Sequence, residues 1–208
     1  MCDTTKLFAT AYLPPISYIS QLIGSPHINI EHKETFPKQT YRNRANILTA
    51  NGILPLYVPV IRPHGNHTTT DEIEISYTEP WNIKHWRAIV SAYNASPYFL
   101  YYRDGFEKIL LTKHQKLVDL NEQLTMQVLK ILKIECEIHH TSDFLPYEGH
   151  KNDYRYYSNA KRKTSTPSFP PYSQVFIDKI PFASDLSIID LLFNLGPESK
   201  QYLERLHF

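Results

Sequence analysis

The chain has 208 residues, with 22 Lys and Arg against 21 Asp and Glu, a length that suits one domain with its own core. The balanced charge excludes a polybasic nucleic-acid binder on global electrostatics. Two cysteines, Cys2 and Cys136, exclude a disulfide framework or a Cys-rich zinc site. No run approaches about 18 consecutive apolar residues, so no membrane span is expected. The start, Met1 to Lys6, lacks the basic segment and apolar stretch of a signal peptide, which points to the cytoplasm.

Leu7 to Leu13 is an apolar run ending in Pro14-Pro15, and it reads as a first strand. Ile16, Ile19, Leu22 and Ile23 then recur at helical spacing, and Ile28 to Ile30 follows the Gly24-Ser25-Pro26 break as a second strand. Strand, proline turn, helix, strand favours an α/β arrangement with a parallel pair. Asn51-Gly52 between two strand-like stretches, 45–49 and 54–60, predicts a β-hairpin closed by a type I′ turn. Pro55 and Pro59 cannot donate to a ladder and place the second hairpin strand at an edge. A polar loop from Arg62 to Asp71 precedes a short return strand over 72–76.

The middle is helical. Trp81, Trp86, Ile89, Val90 and Tyr93 mark a helix starting after Pro80 and ended by Ser96-Pro97. A short helix is expected around 104–111. Leu117, Leu120, Leu124, Val128 and Ile131 then define the longest helix. Ile134 to Ile138 reads as a strand. From about 143 to 173 the pattern dissolves into tyrosines, prolines and the cluster Lys161-Arg162-Lys163, which predicts an irregular lid or arm around 147–166. Order returns at 174–177, and a last helix runs from Ser187 to Gly196-Pro197. The expected fold is α/β and single-domain: a small mixed sheet with a β-hairpin, covered by two or three central helices.

Several clusters could carry chemistry. Arg42-Asn43-Arg44, with Lys38 and Tyr41, could hold an anionic or sugar-containing ligand, because guanidinium groups grip phosphate or carboxylate while Asn and Tyr orient hydroxyls. In an extended chain Arg42 and Arg44 share one face and Asn43 takes the other; the competing reading pairs the arginines with core carboxylates. His85, one turn from Trp81 and Ile89, is a candidate general base or a structural histidine. Ser187, Asp190 and Asn194 share one helix face, either lining a pocket with Asp190 as acceptor or base, or capping the helix through Ser187 and Asp190. His64 and His67 near Asp71 lack a third ligand on a rigid element, and His139 and His140 point to opposite faces of a strand, so no metal site is expected. There is no Walker loop, no G-x-S-x-G and no nucleotide-binding glycine triplet, so no cofactor is expected. The Tyr-rich basic stretch reads as a surface loop rather than a nucleic-acid clamp.

Three segments in order resemble the WbqC-like protein family: TAYLPPISYISQLI at 10–23, FPKQTYRNRANIL at 36–48 and LSIIDLLFNLGPES at 186–199. The helical stretch EPWNIKHWRAIVSAYNASPYF at 79–99 fits as well. The family is largely uncharacterised and associated with O-antigen and other surface-polysaccharide biosynthesis in bacteria. The resemblance implies an acyl- or aminoacyl-type transferase acting on a sugar or nucleotide-sugar, or a non-catalytic ligand-binding or partner protein of the same pathway. It adds Tyr12, in the first segment, to the ligand-binding candidates. The chain departs from many relatives after the proline turn, where Pro15-Ile16-Ser17-Tyr18 carries no glycine.

Overall fold

The computed structural model describes residues 5–37, 40–146, 152–155 and 168–206. The first apolar run forms β1 (Lys6–Ala9), the isoleucine period forms α1 (Ile16–Leu22), and β2 (His27–Glu31) returns parallel to β1. Every side chain of α1 is buried, so this short helix is held by packing on both sides rather than by propensity.

The expected hairpin is present. β3 (Arg44–Thr49) pairs antiparallel with β4 (Gly52–Tyr57), Thr49 facing Gly52. Its turn differs from expectation: Gly52 has φ +99°, whereas Asn51 is not among the positive-φ residues. A type I′ turn needs positive φ at both central residues. The register makes Ala50 and Asn51 the loop, with glycine taking the one left-handed position. β5 (Val60–Ile61) and β6 (Glu74–Ile75) form a second antiparallel pair.

Three helices follow: α2 (Trp81–Tyr93), α3 (Phe99–Leu111) and α4 (Leu117–Leu132). α4 stops at Lys133 in a left-handed turn, φ 52°, and Ile134 folds back to donate to the Leu129 carbonyl at 3.0 Å. That turn delays β7 (Glu137–His140) beyond the apolar run that suggested it. α5 (Ile188–Leu195) and α6 (Ser199–Glu204) close the chain. Between them Gly196 has φ +53°, and a Cβ there would lie 2.5 Å from the Tyr98 ring. Glycine is required on both counts. On α5, Phe193 meets the rings of Tyr93, Phe99 and Phe106 at 5.4, 5.1 and 5.7 Å, joining α2, α3 and α5 into one core.

The fold is α/β, and among the described residues its strands are spread over three small sheets rather than joined in one. The largest is wholly parallel, in the order β1-β2-β7. The far side of β1 is not bare. Leu7 N donates to the Asn152 carbonyl at 2.9 Å and Tyr154 N to the Leu7 carbonyl at 2.7 Å, a parallel bridge of Leu7 with Asp153. The chain thus builds outward from β1 to β2 and β7, then crosses back to lie on the other side of β1. In doubly wound α/β proteins such a reversal opens a crevice at the carboxyl ends of the strands, where ligands bind.

Candidate functional site

The carboxyl ends of β1 and β2 carry a buried set of charges. Glu31, the last residue of β2, is fully buried. Its carboxylate accepts hydrogen bonds from Lys33 N at 2.7 Å, Thr141 Oγ1 at 2.9 Å and Leu145 N at 2.9 Å. Arg155 Nη1 stands 3.6 Å from it. Arg155 donates through Nε to both carboxylate oxygens of Asp153, at 3.0 and 3.1 Å, and through Nη1 to the Leu145 carbonyl at 2.6 Å. Arg42 donates through Nε to Glu34 Oε1 at 2.7 Å. Asn121 on α4 closes the group, its Nδ2 donating to Thr10 Oγ1 at 3.1 Å and to the Arg42 carbonyl at 2.8 Å. These residues come from six stretches of chain and meet where the sheet order reverses.

Burial sets the electrostatics. It pushes the Glu34 carboxyl up, and the Arg42 guanidinium pulls it back. It pushes Arg42 down against the pull of Glu34. Hydrogen bonding to Asp153 raises Arg155. Beside this group a cavity of about 10 Å³ is lined by Thr10, Tyr18, His32, Glu122, Thr125 and His140, room for about one water. His32 and His140 stack with ring centroids 4.4 Å apart, and His140 Nε2 lies 3.3 Å from Glu122 Oε2. Burial, then the neighbouring His140, holds His32 down at about 4. Glu122 also lines a much larger open groove of about 910 Å³ along α3 and α4, with His114, Asp119, Met126 and Lys130. The strand-end cavity and the groove therefore adjoin at Glu122.

The residues singled out from the sequence fall into three groups. In the first, Arg42 lies in the turn before β3, so it does not share a strand face with Arg44 as alternation suggested. Arg42 is 3% exposed and paired with Glu34. Arg44 is half-buried, donates through Nε to Asn46 Oδ1 at 3.2 Å and lies 5.2 Å over the Tyr57 ring. Asn43 Nδ2 donates to the Val58 carbonyl at 3.0 Å, and the Tyr41 carbonyl accepts from Tyr12 N at 2.8 Å. Lys38 lies outside the described residues.

Tyr12 and His85 form the second group. Both are buried, and the Tyr12 hydroxyl lies 2.9 Å from His85 Nδ1. The Tyr57 backbone beside the ring favours its charged form. Trp81 covers the pair edge-on, 5.1 Å from the His85 ring. Burial holds His85 down at about 4, well below the unfolded value of about 6.5. Between those values the unfolded chain binds a proton that the folded chain refuses, so stability is lost as pH falls from 6.5 toward 4. The loss attributable to His85 is about 2–3 kcal/mol by pH 4.5. Urea unfolding of the parent and of His85→Gln at pH 7 and pH 4.5 should show a smaller acid-induced loss in the variant. An equal loss in both would assign the acid sensitivity elsewhere.

Ser187, Asp190 and Asn194 make the third. They share a face as their spacing implies, but the capping expectation fails. Ser187 Oγ donates to the Leu13 carbonyl at 2.9 Å instead of accepting from α5, whose first residue has no side-chain cap. Asp190, 0% exposed, accepts from the Tyr172 hydroxyl at 2.6 Å and Gln174 Nε2 at 3.0 Å. Asn194 Nδ2 donates to the Asp190 carbonyl at 2.7 Å. Nearby, the amino end of α1 is filled from within: Asp185, at φ 51°, accepts from Ser17 N at 2.8 Å and Ser17 Oγ at 2.9 Å.

Sequence reasoning missed Glu31, Asn121, Asp153 and Arg155. A glutamate directly ending an apolar strand was the one local signal. Arg155 sat in a stretch with no hydrophobic period, most of which, including Tyr147 and Lys161-Arg162-Lys163, lies outside the described residues. Within the expected lid or arm, 147–166, the described part is 152–155, and it packs down: Tyr154 stacks on Phe8 at 5.2 Å.

Residues 10–166 match the WbqC-like protein family. The chain belongs to that family. The match takes in the proline-turn segment, the arginine segment and the helical middle, while 186–199 falls beyond it. An uncharacterized protein of Mycobacterium tuberculosis is 27% identical over 218 aligned positions, covering 92% of this chain and 94% of that protein. No solved structure matches the chain. Among the described residues no helix is long and apolar enough to cross a membrane.

Proposed function

We propose that this WbqC-like protein acts in bacterial surface-polysaccharide biosynthesis as an acyl- or aminoacyl-type transferase on a sugar or nucleotide-sugar, held at the carboxyl end of the parallel sheet. The observation that carries the placement is the meeting at Glu122 of the strand-end cavity and the open groove of about 910 Å³. That volume lies in the range of small-molecule sites, and the sheet order reverses beside it. Glu122, Asp119, His114 and His140 can bond sugar hydroxyls, and Lys113 and Lys130 at the groove can face an anionic group.

A second reading, a non-catalytic ligand-binding or partner protein of the same pathway, is supported by the sealing of His85 and Asp190. Both are buried and hydrogen-bonded inside the protein, so neither reaches a bound substrate as a general base. Under this reading ligand binds and leaves unchanged.

The test is a thermal-shift screen with uridine- and thymidine-diphosphate sugars, followed by mass spectrometry of the sugar after incubation with acyl and aminoacyl donors. A ligand at 100 times its Kd stabilises by about 2.7 kcal/mol. Glu122→Ala should reduce the shift while leaving the ligand-free melting temperature almost unchanged, because Glu122 is partly exposed. Reduction by Arg44→Ala and not by Glu122→Ala would move the site to the arginine segment. Absence of a shift with every sugar would overturn the proposal, and a shift without product would select the second reading.

A further inference from the structure

At the other end of the sheet, the parallel register of β2 and β7 sets His27 directly opposite Glu137. Strand alternation puts His139 on the same face as Glu137, two residues on. His27 Nδ1 lies 3.0 Å from Glu137 Oε2, and His139 Nε2 lies 3.6 Å from that same oxygen. One donor atom from each of the three residues lies within 4.8 Å of the others. Four-coordinate zinc sites hold His and carboxylate ligands at about 2.0–2.2 Å, which makes neighbouring ligand atoms in a tetrahedron about 3.3–3.6 Å apart. The spacings of 3.0 and 3.6 Å bracket that edge.

From this geometry we propose a transition-metal site, of which Zn²⁺ is the type occupant, formed by His27, Glu137 and His139 with water completing the coordination. Two neutral imidazoles and one carboxylate are a donor set suited to zinc, and all three stand on paired strands rather than on a loop. The side chains are 54%, 69% and 56% exposed, so an ion enters without unfolding the sheet. Bound there, it ties the first residues of β2 and β7 together. The sequence reading overlooked the site because it compared His139 with His140, its neighbour on the opposite face, rather than with a residue far away in the chain. His140 turns instead to His32 and Glu122.

Calorimetric titration of the tag-free full-length chain with ZnCl₂ should give one ion per chain, and Zn²⁺ should raise the melting temperature. His27→Gln and His139→Gln should each weaken binding about tenfold or more and abolish the thermal increment. His140→Gln should leave both as in the parent. All three positions are partly exposed, and melting of the metal-free variants checks that each folds. No saturable binding would overturn the site, as would binding that survives His27→Gln and His139→Gln together, or binding that depends on His140.

Discussion

Replacing Arg42 with alanine should destabilise the protein by about 3–5 kcal/mol, read as a lowered urea midpoint. The guanidinium is almost wholly buried and bonded to Glu34, itself mostly buried. Removing it strands a carboxylate that burial already pushes toward its neutral form. Glu34 then takes a proton or draws in water, and the packing of the arginine stem is lost as well. The pair's desolvation is the larger part of this cost, so the double variant Arg42→Met with Glu34→Leu should recover much of the loss. A different outcome has a different meaning. If Arg42→Ala keeps its urea midpoint but loses a sugar-nucleotide thermal shift, Arg42 is a ligand residue, as the sequence pattern suggested.

The contrast between Arg42 and Arg44 shows what a sequence can and cannot convey. Two arginines flanking an asparagine look like one face of a strand, and alternation would make them equals. The strand begins only at Arg44, however, so Arg42 turns inward to Glu34 while Arg44 leans on Tyr57 at the surface. Local signals were legible where they decide a structure alone. The proline turn before α1, the Asn-Gly hairpin and the leucine period of α4 all fall where expected. α3 starts earlier than its pattern suggested, at Phe99 rather than near Asp104, because Phe99 packs on Phe193 of α5, a partner distant in the chain.

What stayed hidden was set by partners distant in the chain. Asn152 to Tyr154 has no strand signature, yet it flanks β1 because Leu7 offers free backbone groups there. Glu31, Asp153 and Arg155 become a site only through that pairing. The type I′ turn was the wrong turn from the right dipeptide, since one glycine suffices for the loop the register makes. The amino end of α1 is likewise closed by a carboxylate 168 positions away, Asp185.

Asp190 shows the same point energetically, and its variants should separate two roles. Asp190→Ala leaves the Tyr172 hydroxyl and Gln174 amide without their acceptor in a buried setting, which should cost about 3 kcal/mol at pH 7. Asp190→Asn keeps an acceptor of the same size, and it should stay within about 1 kcal/mol of the parent. The sign with pH follows from burial, which raises the Asp190 carboxyl while Tyr172, Gln174 and Tyr93 lower it, the net effect being upward. A carboxyl whose folded value exceeds its unfolded one binds its proton more readily in the native state. Its charge therefore costs stability above the folded value, and that cost fades as pH falls toward the unfolded value of about 3.9. Asp190→Asn carries no such charge, so its stability relative to the parent should be greatest at neutral pH and decline on acidification. Urea midpoints at pH 7 and pH 4 read this directly. A variant of parental stability at both values that has lost sugar-nucleotide binding would instead place the Asp190 carboxylate against ligand.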